Sequence, residues 1–174
     1  MKTINIFLFI LLFVLSFQTK SIAQSPSYVD FKYVLNESKA GKAAQTFLKK
    51  KLEDGIKNLK SEEKKIQEEE KKIIQQKKLI SPEEYKSKVT DLRKKVEALA
   101  TQRNKLFDSV NKQRAKARTE LLKNLNPIIK DYMKTNKIRL VLDKKAILLA
   151  DENLDITKDI MKVLNKNLKS IKLN

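Results

Sequence analysis

From Ser38 to Asn126 the chain carries one strong helix-breaking signal, Leu79-Ile80-Ser81-Pro82-Glu83-Glu84. This scarcity of punctuation constrains the fold more than any other feature. Ser81 is suited to an N-cap, and Pro82 to the first helical position, where a missing N–H costs nothing. Glu84 completes an S-x-x-E capping box, and the paired glutamates suit the positive end of a helix dipole. One helix therefore ends near Ile80 and a second begins at Ser81.

Both helices carry apolar stripes. On the second, Tyr85, Val89, Leu92, Val96, Leu99, Leu106, Val110, Ala117 and Leu121 follow a 4-3-4-3 spacing, the seam of a heptad repeat, with Arg103 and Gln113 or Arg114 filling two of its places. The first helix has a sparser stripe of Ala44, Leu48, Leu52, Ile56, Leu59, Ile66, Ile73 and Ile80. If the chain folds back at Ser81, facing residues share a constant index sum. Ile73 with Leu92, Ile66 with Leu99, Leu59 with Leu106, Leu48 with Ala117 and Ala44 with Leu121 all do so, at 165. Residues 38–126 are thus expected to form an antiparallel helical hairpin with its tip near 79–84. Each arm would be roughly 65 Å long at 1.5 Å per residue. A single helix running through Pro82 is disfavoured, because an interior proline costs ~3 kcal/mol. Gly55 lies inside the first helix, as a flexible point or a tolerated defect.

The hairpin holds 25 Lys+Arg against 13 Asp+Glu, within a chain of formal net charge +18. There is no His and no Cys, which excludes zinc fingers, thiol nucleophiles, disulfides and a Ser-His-Asp triad. Two glycines cannot build a phosphate-cradling loop. Asp30 and Glu37 make no convincing acid–base pair, and no nucleophile–base constellation exists, so no enzyme activity, cofactor or metal is expected. Asp143, Asp151 and Asp155 read as capping and turn residues, since no calcium-loop pattern surrounds them.

Residues 1–23 have the pattern of a secretory signal peptide. Lys2 supplies the positive start, and Ile6 to Leu15 is unbroken apolar sequence that resumes at Phe17. Ser21-Ile22-Ala23 places small residues around a cleavage site. The run is short of the roughly 20 apolar residues needed to span a bilayer. An exported chain without Cys also suits an oxidising compartment.

Both ends of the remaining chain read as strands. Tyr28 to Leu35 is β-branched and aromatic with imperfect alternation, Ile138 to Leu142 reads as a second strand, and Ala146 to Ala150 is continuously apolar, as in a strand buried on both faces. Asn126-Pro127 kinks or breaks the second hairpin helix, and Ile128 to Lys134 regains helical spacing. Asp155-Ile156-Thr157 opens a final helix. The expected fold is α+β and mainly helical. A small β body formed by residues 24–37 and 127–174 carries the long hairpin. Val29, Phe31, Leu140, Val141, Leu142, Ile147 and Leu148 are the expected body core. So few strands leave open edges, and association through the body would close them.

These residues resemble the OmpH/Skp family of periplasmic chaperones. Tyr28-Val29-Asp30 and Val34 through Ala44 look like the family's opening. Leu140 through Ile147, Ala150-Asp151 and Leu154 through Thr157 look like its closing segment. Leu149 stands where many members carry an aromatic, and Glu152-Asn153 lacks a proline common there. The resemblance implies a homotrimer with helical tentacles around a cavity. It would hold unfolded outer-membrane β-barrel proteins without ATP, in the periplasm of a Gram-negative bacterium.

The residues supply a mechanism for that role. Unfolded barrel strands are aggregation-prone, and thinly sealed arms can splay around clients of different size. Lys64, Lys65, Lys71, Lys72, Lys77, Lys78, Lys86, Lys88, Arg93, Lys94 and Lys95, flanking the tip residues Ser81, Pro82 and Glu84, would attract acidic clients and anionic lipid headgroups diffusely. Specific nucleic-acid binding is disfavoured by the export signal and by the lack of interleaved aromatics. The alternative is a periplasmic helical-hairpin adaptor of the cell envelope with one folded partner.

Overall fold

The computed structural model describes residues 26–173, so the expected signal peptide lies outside the described residues. The element order is β1 (Ser27–Val29), α1 (Phe31–Glu37), α2 (Lys39–Gln76), α3 (Pro82–Thr135), β2 (Val141–Asp143), 3₁₀ turns at Lys144–Ala146 and Glu152–Leu154, and α4 (Thr157–Asn167). The helix-rich reading stands, with a strand pair at its root.

Helices α2 and α3 form the antiparallel hairpin. The tip is built as the sequence predicts: Ser81 is the N-cap, its Oγ accepts the Glu84 amide at 3.1 Å, and Pro82 opens the helix. The Glu84 carboxylate lies 3.5 Å from Lys88 Nζ rather than reaching back over the cap. Cross-arm contacts follow the expected register closely. Lys51 Nζ donates to Gln113 Oε1 at 2.9 Å, and Lys95 Nζ to Glu69 at 2.6 Å. Val96, assigned to the stripe by spacing, is instead half exposed. Its place on the seam faces the polar Glu69, which Lys95 engages, so no apolar partner covers it.

The first strand is shorter than expected. It stops at Val29 because the Asp30 carboxylate accepts the Tyr33 amide at 2.8 Å and caps α1. Phe31, Val34 and Leu35 therefore lie on a helix, at i, i+3 and i+4, and Val34 is fully buried. Ser38 both ends α1 and caps α2. It is buried, its Oγ accepting from the Gly41 amide at 3.1 Å.

Pro127 does not break α3, which continues to Thr135. Pro127 is exposed, so the carbonyl of Lys123 that loses its amide partner lies toward solvent. Leu125 and Ile129 on either side are buried in the body core, and their packing offsets the local cost. Helix α3 ends in a Schellman arrangement. Ile138 N–H donates to Met133 O at 2.9 Å and Lys137 N–H to Lys134 O at 3.3 Å. Lys137 takes the left-handed position there, φ 55°, which usually falls to glycine. Ile138 and Met133 both pack on the body core, and this contact turns the chain toward β2.

Strand β2 is also shorter than expected, and it pairs in parallel with β1: Ser27 with Val141, Tyr28 with Leu142, Val29 with Asp143. A parallel pair needs a crossover connection, and here the entire hairpin serves as one. The other edge of β1 is taken by a bridge from Tyr28 to Asp155. The third strand expected at Ala146 to Ala150 does not form. The Asp143 carboxylate accepts the Lys145 amide at 3.2 Å and diverts the chain into a 3₁₀ turn before it can fold back along β2. Leu148 and Leu149 are left 96% and 90% exposed.

The body core consists of Val29, Val34, Ala40, Leu121, Leu125, Ile129, Ile156, Ile160 and Leu164. Both chain ends meet in it. Tyr28 O accepts from Ile156 N at 3.0 Å, Thr157 Oγ1 accepts from Asp30 N at 2.9 Å, and Asn165 Oδ1 accepts from Lys39 N at 2.7 Å. A second cluster of Ala44, Leu48, Val110, Ala117 and Leu173 seals the root of the hairpin.

Candidate client-binding surface

The hairpin changes character along its length. Near the root, Ala44, Leu48, Val110 and Ala117 are buried. Beyond Val110 toward the tip, Leu59 and Ile73 on α2 are buried, but nothing from Pro82 to Ser109 on α3 is. A two-helix seam with so little sealed area is held weakly and can open locally.

The distal arms carry the basic side chains singled out by sequence. Five have acidic partners: Lys64 with Glu68 at 4.0 Å, Lys65 with Glu62 at 2.6 Å, Lys88 with Glu84 at 3.5 Å, Lys94 with Asp91 at 3.2 Å, and Lys95 with Glu69 at 2.6 Å. Lys77 lies over the Tyr85 ring, 5.7 Å from its centroid. Lys71, Lys72, Lys78, Lys86 and Arg93 are exposed and have no acidic partner among the described residues. Unpaired positive charge therefore faces solvent at the tip, although the distal arms as a whole are nearly balanced: residues 61–99 hold 11 Lys+Arg against 9 Asp+Glu, and the rest of the hairpin 14 against 4. Leu79 (82% exposed) and Ile74 (59%) stand among these lysines.

Sequence reasoning missed a groove at the hairpin root, of about 1060 Å³. Its floor includes Phe31, Leu48 and Val110, and its rim includes Lys49, Arg114 and Arg118. Lys42 also lines it and bonds the Glu37 carboxylate at 2.8 Å. That hydrogen bond, helped by the charge of Glu37, raises the Lys42 pKa above the ordinary lysine value. The signal was present in the sequence: Arg114 and Arg118 are one turn apart and flank the stripe residue Ala117. Phe47 and Phe107 were missed too. Both are partly exposed and sit beside the stripe residues Leu48 and Leu106 rather than on the stripe.

The expected body residues divide. Val29 is fully buried, while Phe31, Val141 and Ile147 are half-buried. Leu140 and Leu148 are exposed in the single chain, because the strands that would have turned them inward are shorter or absent, and Leu142, inside β2, alternates outward between the half-buried Val141 and Asp143. The aspartates perform their expected turn roles. Asp143 caps the first 3₁₀ turn, Asp151 accepts the Asn153 amide at 2.9 Å, and Asp155 accepts the Thr157 amide at 2.9 Å. Desolvation pushes the Asp155 pKa up, but the hydrogen bonds from Thr157 and the Lys144 charge outweigh it, and the net effect is a lowered value. The Tyr132 hydroxyl is pushed up by burial and by its 2.8 Å bond to Asp159. No group of acidic side chains able to hold a metal occurs among the described residues.

Comparison with known proteins agrees with this architecture. No curated protein sequence matches. A solved structure from Caulobacter crescentus CB15, determined as a candidate OmpH-like outer membrane chaperone, superposes with a TM-score of 0.80 at 22% identity. The match covers 90% of this chain and 94% of that one, and it shows a shared fold. The family model for OmpH-like outer membrane proteins matches residues 27–164, from β1 into α4. This chain belongs to the OmpH-like family.

Proposed function

We propose that the protein is an ATP-independent holdase that binds unfolded outer-membrane β-barrel proteins in the periplasm of a Gram-negative bacterium and keeps them from aggregating. Membership of a family that includes a chaperone-type structure supports a chaperone role. The observation that carries the finer reading is the distal hairpin. It joins unpaired lysines and scattered exposed apolar side chains to a seam with almost nothing sealed inside it. Capture is diffuse: charge draws an acidic client in, and lysine stems with Ile74, Leu79 and Phe107 give shallow apolar contact. Because no pocket is specific, clients of different sequence and size are accepted. Anionic lipid headgroups are a second partner for the same tip charge.

The working form is a homotrimer joined through the body. In support, Leu140, Leu142, Leu148 and Leu149 leave on the body surface an apolar set that the single chain does not cover. The domain division follows from this reading, with residues 24–37 and 127–174 as oligomerisation body and 38–126 as tentacle.

The test dilutes a urea-unfolded outer-membrane barrel protein into buffer with mature protein from Gln24 onward, and records light scattering at low and high salt. Suppression near three chains per client, weakened but not abolished by salt, is the expected outcome. No suppression from folded protein at any ratio overturns the reading in favour of an envelope adaptor.

A further inference from the structure

After α4 the chain continues from Leu168 to Leu173 without regular secondary structure, lying against the root of the hairpin. Ile171 packs on both apolar clusters, the body core and the hairpin seam. Leu173 is buried among Ala44, Leu48, Val110 and Ala117. Polar bonds reinforce the contact. Gln113 Nε2 donates to Leu173 O at 2.6 Å, while Gln113 Oε1 accepts from Lys51 Nζ at 2.9 Å. Lys51 Nζ also donates to Ser109 Oγ at 2.8 Å. One glutamine amide therefore ties the tail to both arms.

The position of this tie coincides with the change in the seam. Buried side chains on α3 extend toward the tip as far as Val110 and then cease. Immediately beyond, the arms pinch together. A Cβ placed on Gly55 would lie 2.5 Å from both terminal methyls of Leu106. Two helices alone leave one flank of their seam open to water, and the tail covers that flank only at the root.

We propose that Leu168–Leu173 is a strap that locks the root of the hairpin and places its hinge at the level of Lys51–Gly55 and Leu106–Gln113. Splaying is then confined to the distal arms, and the root moves with the body. Without the strap, Ala44, Leu48, Val110 and Ala117 become the exposed edge of an unsupported two-helix seam, and opening begins at the body. The strap acts on arm stiffness and operates whether or not a client is captured.

The experiment is hydrogen exchange on the intact mature oligomer without client, comparing wild type with a chain ending after Lys169. Expected is exchange faster by about tenfold or more across 44–55 and 106–117, with 121–132 and 157–167 within about twofold of wild type. No regional acceleration overturns the strap, and so does equal acceleration of root and body, which marks a general loss of stability. If the shortened chain does not fold, Leu173→Ala decides the matter. It empties the apolar contact of the tail and leaves the Lys51–Gln113 bond between the arms in place. It is expected to accelerate the same two segments by about threefold, and an unchanged pattern overturns the proposal.

Discussion

The root and the tip of this molecule are made from the same kind of helix, yet they obey different rules. At the root, α2 and α3 are held by α1, α4, the strand pair and the C-terminal tail, and their inner residues are buried. Toward the tip the same two helices have only each other, and no residue of α3 before Val110 is fully buried. A helix gains its stability in a protein chiefly from what packs on it. The difference teaches that mobility here is set by the number of packing neighbours, not by helix propensity.

The sharpest way to break that comparison is to cut one leucine from each region. Leu125→Ala, at a fully buried body position, is expected to cost about 2–5 kcal/mol in urea unfolding, whereas Leu99→Ala on the distal seam should cost about 1 kcal/mol or less. Equal losses would show the distal seam to be as well packed as the body.

The two glycines make a second pair. An added Cβ at Gly41 collides with the backbone carbonyl of Leu35, which cannot move aside, so Gly41→Ala should lose about 1–3 kcal/mol. At Gly55 the added carbon meets only the ends of the Leu106 side chain. There the helix-propensity gain of up to about 1 kcal/mol offsets the repacking, and thermal stability should stay nearly level.

Asp155 tests the joint between the chain ends. Its pKa is lowered in the folded state, so the stability it provides is present above the ordinary value of 3.8 and is lost as pH falls through the folded-state value. Asp155→Asn should cost about 1 kcal/mol at neutral pH, and the gap to wild type should close at acid pH below 3.8. A gap that persists there would assign the loss to geometry and not to charge. The smallest effect belongs to the exposed cross-arm pair. Lys95→Ala should change stability by about 0.5 kcal/mol or less, and high salt should erase the difference.

Much of this was legible in the residues. Ser81-Pro82-Glu83-Glu84 marked the tip because capping is local chemistry, and the index sum found the register because heptad stripes must face each other. The body was harder. Phe31, Val34 and Leu35 were read as strand for their β-branched and aromatic character, although their spacing is helical and Asp30 supplies the cap. Ala146 to Ala150 was read as a buried strand because it is apolar, but the Asp143 cap turns the chain into a 3₁₀ turn ahead of it. Pro127 was expected to kink or break α3, and burial of Leu125 and Ile129 overrode the local cost. Leu168 was read as the last apolar residue of the final helix, which instead ends at Asn167, and Leu173 gave no signal, since an extended tail follows whatever surface it covers.

What the sequence determined alone was the hairpin, its turn, its basic charge and the family it belongs to. These depend on interactions between residues a few positions apart, or on composition, and both are written directly in the order of residues. What only the tertiary structure decided was which short apolar segments become strands, that the hairpin is the crossover between β1 and β2, and where the tail closes the root. Those outcomes depend on partners more than a hundred residues distant. A three-residue strand or an extended tail has too few local interactions to choose its conformation before such partners arrive.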